Sequence, residues 1–260
     1  MLKGKNAIIT GSTSGIGLAI AEALASNGAN ILFNGIGDME AINSIVRQTS
    51  KKFQVKTEFS GADMKKPEQI RQMVQDCVSK LGSVDIVVNN AGIQFTSRIE
   101  DFPEDKWDDI IAINLSSAFH AIKAALPYMY KQKFGRIINI ASVHGIVASV
   151  NKSAYVAAKH GINGLTKTIA LEAADSGVTA NSICPGWVYT PLVHKQVEDI
   201  AKKEGISIEE AKIKLLEEKQ PNKRFVRPED IGAMAAFLSG PNGDAMTGEI
   251  ISIDGGWSAR

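Results

Sequence analysis

Two side chains able to move a proton lie one helical turn apart, the phenol of Tyr155 and the ammonium group of Lys159. Both belong to an amphipathic stretch, 154–174, that predicts a helix, so they project from the same face. A phenol titrates near pH 10, and lowering its pKa to about 7 requires roughly 4 kcal/mol of preferential stabilisation of the phenolate. A neighbouring cation supplies part of that energy, and the pair therefore predicts a general base. The same spacing also occurs on solvated surface helices, so the pair needs support from elsewhere in the chain.

That support begins with a glycine-rich turn near the N-terminus. The first predicted strand ends at Thr10, and the segment GSTSGIG follows immediately before a helical pattern. Glycines let the backbone turn tightly and approach a pyrophosphate, and a helix N-terminus offers unpaired N–H groups. A glycine turn alone is a weak signal, but strand, turn and helix in register predict a dinucleotide site. The predicted contacts are Gly11, Thr13, Gly15, Ile16 and Gly17.

The residues after the second and third strands bear on which dinucleotide binds. The second strand ends at Asn34, and no Arg or Lys lies beside it or in the glycine turn to receive a 2′-phosphate. We therefore expect NAD rather than NADP as the cofactor. Asp38 follows shortly and is equally well explained as a helix cap. Asp63, after the third strand, is predicted to accept a hydrogen bond from the adenine amino group, with an ordinary turn aspartate as the alternative.

Short β-branched runs alternate with amphipathic stretches along the whole chain. Strands are predicted at 6–10, 30–34, 55–60, 86–89, 135–141, 179–184 and 249–253. Helices are predicted at 16–27, 39–52, 67–80, 104–130, 154–174 and 228–238. Strict alternation predicts an α/β fold with one doubly wound (Rossmann) domain over residues 1–260, a seven-stranded parallel sheet and helices on both faces.

One segment, residues 192–222, interrupts this alternation. It is polar, charged and helical, and it occupies a place where a short connection would suffice. Long insertions at the carboxyl edge of such sheets often cover a substrate, so a helical lid is predicted. A solvated pair of surface helices is the alternative.

Composition excludes several classes of protein. A formal net charge of +1 over 260 residues leaves no broad basic surface for nucleic acid. The first ten residues enter a strand at once without a signal-peptide pattern, and no apolar run approaches the length of a membrane span.

Cys77 and Cys184 are isolated and are interpreted as buried small hydrophobic residues in a reducing compartment. We therefore expect a cytoplasmic protein that binds neither membrane nor nucleic acid, and no cluster of residues predicts a metal site.

Several motifs together resemble the classical short-chain dehydrogenase/reductase family. They are TGSTSGIG, NNAG at 89–92, Asn114, Ser142, YVAAK at 155–159 and PG at 185–186, in the family's order and spacing over essentially the whole chain. The resemblance implies an oxidoreductase that transfers a hydride, with Asn114, Ser142, Tyr155 and Lys159 as the catalytic group. It implies that Asn114 holds a water linked to Lys159 and that Asn90 and Thr190 contact the cofactor, as do Tyr155 and Lys159. It also implies a homotetramer.

Polar and aromatic residues flank the reacting group. A lysine and a histidine near a catalytic serine are costly unless they bind an anion, and Lys152 and His144 would be explained by a small carboxylate. Trp187 and Trp257 would close a small pocket. Three of these residues have a simpler interpretation: His144 as an ordinary loop residue, Lys152 as a solvated loop lysine, and Trp257 as a subunit contact.

Segments around these residues resemble one branch of the family. They include IQFTSRIEDFP, ASVHGIVAS, NKSAYVAAKHG, CPGWVYTPLV, KQP and DGGWSAR. The branch implies reversible oxidation of (R)-3-hydroxybutyrate to acetoacetate with NAD, a step of ketone-body metabolism. Its substrate contacts are Gln94, Ser142, His144, Lys152, Tyr155, Trp187, Gln196 and Trp257. A family member acting on a 3-oxoacyl thioester or a sugar is the alternative, and a nucleotide-binding regulator without catalysis is a remote one.

Overall fold

A seven-stranded parallel sheet forms the centre of the structure, in the order β3-β2-β1-β4-β5-β6-β7. The computed structural model describes residues 1–259, apart from the side chains at positions 191 and 192, so the last predicted position, 260, lies outside the described residues. The strands are β1 (Asn6–Ile9), β2 (Asn30–Asn34), β3 (Thr57–Ser60), β4 (Ile86–Asn89), β5 (Gly135–Ile140), β6 (Val178–Pro185) and β7 (Ile250–Ile253). The predicted fold class is confirmed.

Helices cover both faces of the sheet. They are α1 (Gly15–Ser26), α2 (Met39–Phe53), α3 (Pro67–Leu81), α4 (Glu104–Ile111), α5 (Ser117–Gln132), α6 (Ser153–Glu172), α7 (Pro191–Glu204), α8 (Ile208–Lys219) and α9 (Pro228–Ser239). One face packs against α1, α2 and α9, and the other packs against α3, α5 and α6. Residues 192–222 contain the helix pair α7–α8, as their helical pattern predicted.

The side chains of successive residues in each strand point to opposite faces of the sheet. Ile8 belongs to the core layer beneath α3 and α5, whereas Ile9 belongs to the layer beneath α1 and α9. Both are fully buried, because successive side chains of a strand point in opposite directions and both faces are covered. Strands buried on both sides explain the continuous apolar runs in the sequence.

The helix predicted over 104–130 is continuous but is not α-helical throughout. A π-helical turn, Ala112–Ser116, separates α4 from α5 and closes with a hydrogen bond from the Ser117 N–H to the Ala112 carbonyl. A π-turn inserts one extra residue, which changes the direction of every later side chain relative to α4. The prediction missed it because apolar spacing on each side is helical and a single inserted residue leaves no signal of its own.

The combined helix, Glu104–Gln132, is also more apolar than the sequence analysis allowed. Among the described residues it is the one helix long and apolar enough to cross a membrane, with a mean hydropathy of 1.3 over 18 residues. One side of this helix lies inside the molecule, where Ile122, Ala125 and Met129 pack against the sheet and α3, whereas Phe119 is exposed. The helix therefore has the composition expected of a core element.

The strand order reverses between β1 and β4. From β1 the chain builds outward through β2 and β3, and it then returns to pair β4 with β1 and continue through β7. In open parallel sheets the crevice at the carboxyl ends of such strands is the usual binding site. The turns after β1, β4, β5 and β6 all open there, and together they carry most of the predicted site residues.

Candidate functional site

The turn after β1 is shaped for close approach by a ligand. Gly11 and Gly15 have φ angles of +61° and +55°, in the region that favours glycine. Helix α1 starts at Gly15, and its N-cap residue, Ser14, makes no side-chain hydrogen bond to the first turn. The N–H groups of that turn therefore face the crevice with the positive end of the helix dipole. This geometry fits a phosphate group.

Gly17 keeps the turn compact. A Cβ atom there would lie 2.5 Å from Nδ2 of Asn90 and would also meet the Gly11 carbonyl oxygen. Asn90 holds the turn by donating from Nδ2 to the carbonyl oxygens of Thr10 (2.9 Å) and Gly11 (3.0 Å). Asn90, which is predicted to contact the cofactor, therefore also stabilises the glycine turn through its side chain.

We expect Gly17→Ala to destabilise the protein by about 1–3 kcal/mol, the usual cost of overpacking, and to weaken dinucleotide binding by more than tenfold. Chemical denaturation and a fluorescence titration with NAD measure the two effects. Gly164→Ala is the matched control, since a Cβ there meets nothing within 4 Å on the exposed face of α6. A Gly17 variant as stable as the wild type would contradict the clash.

Asn34 is fully engaged at the end of β2. Its Oδ1 accepts from the Gly11 N–H at 3.2 Å, and its Nδ2 donates to the carbonyls of Ser60 and Ala62 at 3.0 Å each. Asp38 caps α2 by accepting from the Ala41 N–H and does not line the crevice, which agrees with the capping interpretation. Asp63 lines the crevice, and its Oδ1 also accepts from the Lys65 N–H at 2.9 Å.

A continuous cavity of about 500 Å³ runs from the glycine turn to the C-terminal residues. All predicted cofactor and substrate contacts line it, and so do three of the four predicted catalytic residues. Its far end, which we call the substrate end, is lined by Gln94, His144, Lys152, Trp187, Gln196 and Trp257. Residues spread over most of the chain thus converge on one crevice.

Tyr155, Lys159 and Ser142 meet in the middle of this cavity. Lys159 Nζ lies 5.6 Å from the centroid of the Tyr155 ring and donates to the Ile140 carbonyl at 2.7 Å. Ser142 follows β5, and its Oγ accepts from the N–H of His144 at 3.2 Å. The phenol and the ammonium group lie on the same face of α6, as their spacing predicted.

Burial dominates the pKa values of both Tyr155 and Lys159 in the chain without its cofactor. Burial raises the pKa of the Tyr155 phenol, and a hydrogen bond with Ser142 opposes this only in part. Burial also lowers the pKa of Lys159 to about 8, against a smaller opposing influence of Cys184. Desolvation therefore dominates the pKa of the phenol in the chain without its cofactor. Lys159 is predicted to supply only part of the stabilisation that a phenolate needs, so the general base stays a prediction for the complex with cofactor.

Asn114 lies behind the cavity and does not line it. In the π-turn its Oδ1 accepts from the Ile93 N–H and its Nδ2 donates to the Ile93 carbonyl, both at 2.9 Å. The side chain is 2 % exposed and both of its polar atoms are used. Its side chain therefore anchors the loop after β4.

The substrate end combines a cation with aromatic walls. Lys152 Nζ lies 5.1 Å from the Trp187 ring, and the Trp187 and Trp257 ring centroids are 5.6 Å apart. His144 packs edge-on against Trp257 at 5.2 Å and against Tyr155 at 6.0 Å. Burial lowers the pKa of Lys152 to about 8, an effect that Glu218 opposes and Lys219 reinforces. An ammonium group in this setting stabilises a bound anion strongly.

His144 enters the site as a neutral imidazole. Burial, followed by the charges of Lys152 and Lys219, lowers its pKa to about 3. Nδ1 lies 3.4 Å from Ser142 Oγ, whereas Nε2 is buried without a hydrogen-bond partner among the described residues. A buried nitrogen without a partner in a cavity is suited to a polar ligand atom.

Two residues at the substrate end escaped sequence analysis. Gln220 accepts from the Trp187 N–H, and Asp254 accepts from the N–H groups of Gly256 and Ser258 on either side of Trp257. Both side chains are buried. The only available signal was that each stands close to a motif, Gln220 in KQP and Asp254 in DGGW.

No group of three His, Cys, Asp or Glu side chains over residues 1–259 is arranged to hold a metal ion. The cavity instead suits an organic dinucleotide. The glycine turn leaves room for a pyrophosphate, and Thr190 packs on this turn, 3.4 Å from where a Cβ of Gly15 would lie. The residues present thus fit a nicotinamide dinucleotide.

Comparison with known proteins agrees with this geometry. A family model described as enoyl-(acyl carrier protein) reductase matches residues 11–258. The chain is 56% identical over 260 residues to a D-beta-hydroxybutyrate dehydrogenase of Cupriavidus necator, covering 100% of both chains. It is 52% identical to a D-beta-hydroxybutyrate dehydrogenase of Rhizobium meliloti, covering 98% of this chain and 99% of that one. An L-sorbose reductase from Gluconobacter frateurii, solved with NADPH and L-sorbose, superposes with a TM-score of 0.94 at 30% identity, covering 98% and 97%.

Proposed function

Because the chain belongs to the short-chain dehydrogenase/reductase family, we propose that it oxidises (R)-3-hydroxybutyrate reversibly to acetoacetate with NAD. The observation that carries the proposal is the substrate end of the cavity. There the half-buried Lys152, whose ammonium group lies 5.1 Å from the Trp187 ring, shares the cavity with the buried, neutral His144, which packs against Tyr155 and Trp257. A cation this desolvated favours a ligand with a carboxylate, and the aromatic walls favour a short one.

In the proposed complex the carboxylate pairs with Lys152 and accepts hydrogen bonds from His144 Nε2, Gln94 and Gln196. A charge-assisted hydrogen bond in a dry pocket fixes the acid at a set distance from the reacting carbon. Trp187 and Trp257 contact the short alkyl end. Their role is to exclude water and longer chains.

At the catalytic end, Ser142 Oγ holds the substrate oxygen and Tyr155 Oη removes its proton. A nicotinamide dinucleotide held by the predicted cofactor contacts would accept the hydride and, in its oxidised form, would bring a positive charge to the site. Lys159 contributes its ammonium charge, 5.6 Å from the Tyr155 ring centroid. Since burial raises the pKa of Tyr155 in the chain alone, we infer that the phenol becomes an effective base only in the complex with substrate and cofactor.

The dinucleotide would lie along Gly11, Thr13, Gly15, Ile16 and Gly17, with Asp63 near the adenine, and Asn90, Tyr155, Lys159 and Thr190 toward the nicotinamide. At the adenosine end the cavity is lined by Asn34, Gly35 and Ile36, and the lysines that line it, 152 and 159, are at the other end. A 2′-phosphate would therefore meet no cation from the described lining. This supports NAD over NADP.

We also infer that α7–α8 acts as a lid over the substrate. The pair has a small apolar core of its own, Val193, Val197, Ala211 and Leu215, which packs on Trp187. Val193 and Gln196 line the cavity. Because this apolar core joins α7 to α8, the two helices can move together as a unit and bring Gln196 to the substrate.

The KM for 3-hydroxybutyrate should rise above about pH 8. Lys152 is protonated below its pKa of about 8 and can then bind a carboxylate, whereas the neutral amine formed at higher pH cannot. KM should be flat at lower pH and increase by up to about tenfold per pH unit above the midpoint. Initial rates between pH 6 and 10, with saturating NAD, measure this.

Lys152→Arg provides the control for that profile, because a guanidinium stays charged throughout this range. In this variant the rise of KM above pH 8 should disappear, even if the absolute KM is higher. A profile identical to that of the wild type would assign the titration to another group.

The function itself is tested by an initial-rate panel. The (R) and (S) forms of 3-hydroxybutyrate are each assayed with NAD and NADP, alongside a 3-oxoacyl thioester and a ketose with NADPH. We expect activity with the (R) acid and NAD to be the highest of the panel. It should exceed that with the thioester and the ketose by at least about 100-fold in kcat/KM, because neither carries a carboxylate for Lys152 and one unpaired charge in the pocket costs several kcal/mol. Preference for the thioester or the ketose would overturn the proposal.

The oligomeric state and the cellular location are inferred from exposed apolar side chains and from the free cysteines. We infer a cytoplasmic homotetramer, supported by the exposed apolar side chains of Phe119 and Leu171 on two sheet-covering helices and by two buried free thiols, Cys77 and Cys184. Light scattering of the purified protein tests the tetramer. A monomer at micromolar concentration would contradict it.

A further inference from the structure

The segment that ends α8 is tied to the wall of the substrate end. The Gln220 side chain is fully buried, and its Oε1 accepts from the main-chain N–H of Trp187 at 2.9 Å. Its Nε2 donates to Asn222 Oδ1 at 3.3 Å and to the Arg224 carbonyl. One amide group thus joins the lid, the loop after β6 and the turn that follows α8.

The same segment reaches the other tryptophan. The Asn222 N–H donates to the Gly255 carbonyl at 3.1 Å, two residues before Trp257. Gly255, with φ of +62°, packs so closely on the Asn222 side chain that a Cβ there would overlap it. Gly186 packs on Gln220 in the same way, since a Cβ there would lie 2.6 Å from Oε1. Two close backbone approaches, one before each tryptophan, converge on residues 220–222.

The tryptophans themselves are held mainly through their backbones. The Trp187 carbonyl accepts from the Val226 N–H at 2.8 Å, so both its N–H and its carbonyl are bonded to the segment that follows α8. Its indole Nε1 is buried without a partner among the described residues, so its ring position depends on packing and on the backbone. Residues 220–226 therefore hold the backbone that carries the Trp187 ring, whose centroid lies 5.6 Å from that of Trp257.

We propose that Gln220 is a positioning residue that links the lid α7–α8 to the Trp187–Trp257 wall and thereby determines the preference for short hydroxy acids. The proposal rests on the function proposed above. Without the amide, the Trp187 N–H is left buried and unpaired, and the cost is relieved by movement of the loop. The wall then shifts, the contact with a four-carbon acid weakens, and room opens for a longer one.

Gln220→Met tests this directly, because it keeps the length of the side chain and removes all its hydrogen bonds. KM for (R)-3-hydroxybutyrate should rise about tenfold, the factor for one unsatisfied buried donor, with a smaller change in kcat. The ratio of kcat/KM for 3-hydroxybutyrate over 3-hydroxyhexanoate should fall by at least about tenfold. The affinity for NAD should not change.

Gln132→Met is the matched control. Gln132 Nε2 donates to the carbonyls of Val84 and Phe134 at 2.9 and 2.8 Å, just before the amino ends of β4 and β5 and thus at the opposite end of the strands from the cavity. This variant should lose a comparable amount of thermal stability while KM and chain-length preference stay at wild-type values. Equal kinetic effects in the two variants would reduce Gln220 to a general contributor to stability and overturn the proposal.

A readout without substrate separates this inference from the proposed function. The near-ultraviolet circular dichroism of the closely packed Trp187–Trp257 pair should weaken in Gln220→Met and persist in Gln132→Met. An unchanged spectrum in a folded Gln220→Met protein would overturn the positioning role, whichever substrate the wild type turns over. A wild type inactive on hydroxy acids would instead refute the function and leave the spectral comparison valid.

Gln220→Glu covers the case in which the methionine variant does not fold. A protonated carboxyl can both accept from the Trp187 N–H and donate, as the amide does, whereas the ionised form cannot donate. Burial raises the pKa of a carboxyl group. The ratio of the variant KM to the wild-type KM should therefore be near one at pH 6 and rise toward pH 9. A ratio independent of pH would contradict the proposal.

Discussion

Tyr155→Phe should lower kcat by about 10³-fold, within the range for one positioned proton-transfer group, and leave the affinity for NAD unchanged. The substitution removes only the hydroxyl oxygen. The ring, which packs edge-on to His144 at 6.0 Å, is retained, so the substrate end should keep its shape. Steady-state rates from absorbance at 340 nm and quenching of protein fluorescence by NAD measure the two quantities.

Tyr130→Phe is the control for this experiment. Tyr130 lies on α5 with 39% of its surface exposed, away from the cavity lining, and its hydroxyl should be dispensable. Near-wild-type turnover by Tyr155→Phe would show that another group takes the proton. The cavity then offers Lys159, whose pKa of about 8 is in a suitable range for a base.

Lys152→Met should raise KM for (R)-3-hydroxybutyrate by roughly 30- to 4000-fold, equivalent to the 2–5 kcal/mol lost when one partner of a buried charge pair is truncated. Methionine keeps most of the aliphatic stem that packs near Trp187, so the experiment removes the charge more than the volume. The KM for NAD should change little. Rates at varied acid and saturating NAD, and the reverse, separate the two.

A control variant and an uncharged substrate test whether the rise in KM comes from loss of the pair between Lys152 and the carboxylate. Lys167→Met removes an exposed lysine from the same helix, α6, and should leave both KM values unchanged. The methyl ester of the substrate has no carboxylate, so its kcat/KM should be poor with the wild type and insensitive to Lys152→Met. An equal loss for acid and ester would mean that Lys152 supports the pocket without pairing with the carboxylate.

The sheet was predictable because burial on both faces leaves an unmistakable pattern. Runs such as ILF at 31–33 in β2 and IVV at 86–88 in β4 are apolar, and they separate amphipathic stretches at regular intervals. Chain order then fixes the crevice, because parallel strands share one carboxyl edge. This is why Gly11, Asn90, Ser142 and Trp187, far apart in sequence, could be expected at one site.

What escaped prediction depends on single residues and on desolvation. The π-turn inserts one residue into a helix without altering its apolar spacing, and it carries Asn114 to the Ile93 backbone. Spacing shows that Tyr155 and Lys159 share a face, but the balance between attraction and burial that decides the pKa of the phenol depends on the packed environment. Gln220 resembles any surface glutamine until the fold places it under Trp187.

The saturated Asn34 side chain constrains how coenzyme preference could be redesigned. Substituting it would sever the links among the glycine turn, β2 and the loop after β3 before altering any contact with a ribose. Gly35 also cannot carry a side chain without displacing its neighbours, because a Cβ there would lie 2.7 Å from the Thr13 side chain. Ile36, 77% exposed at the rim of the cavity, is the position where an introduced arginine would be tolerated and would face an added phosphate.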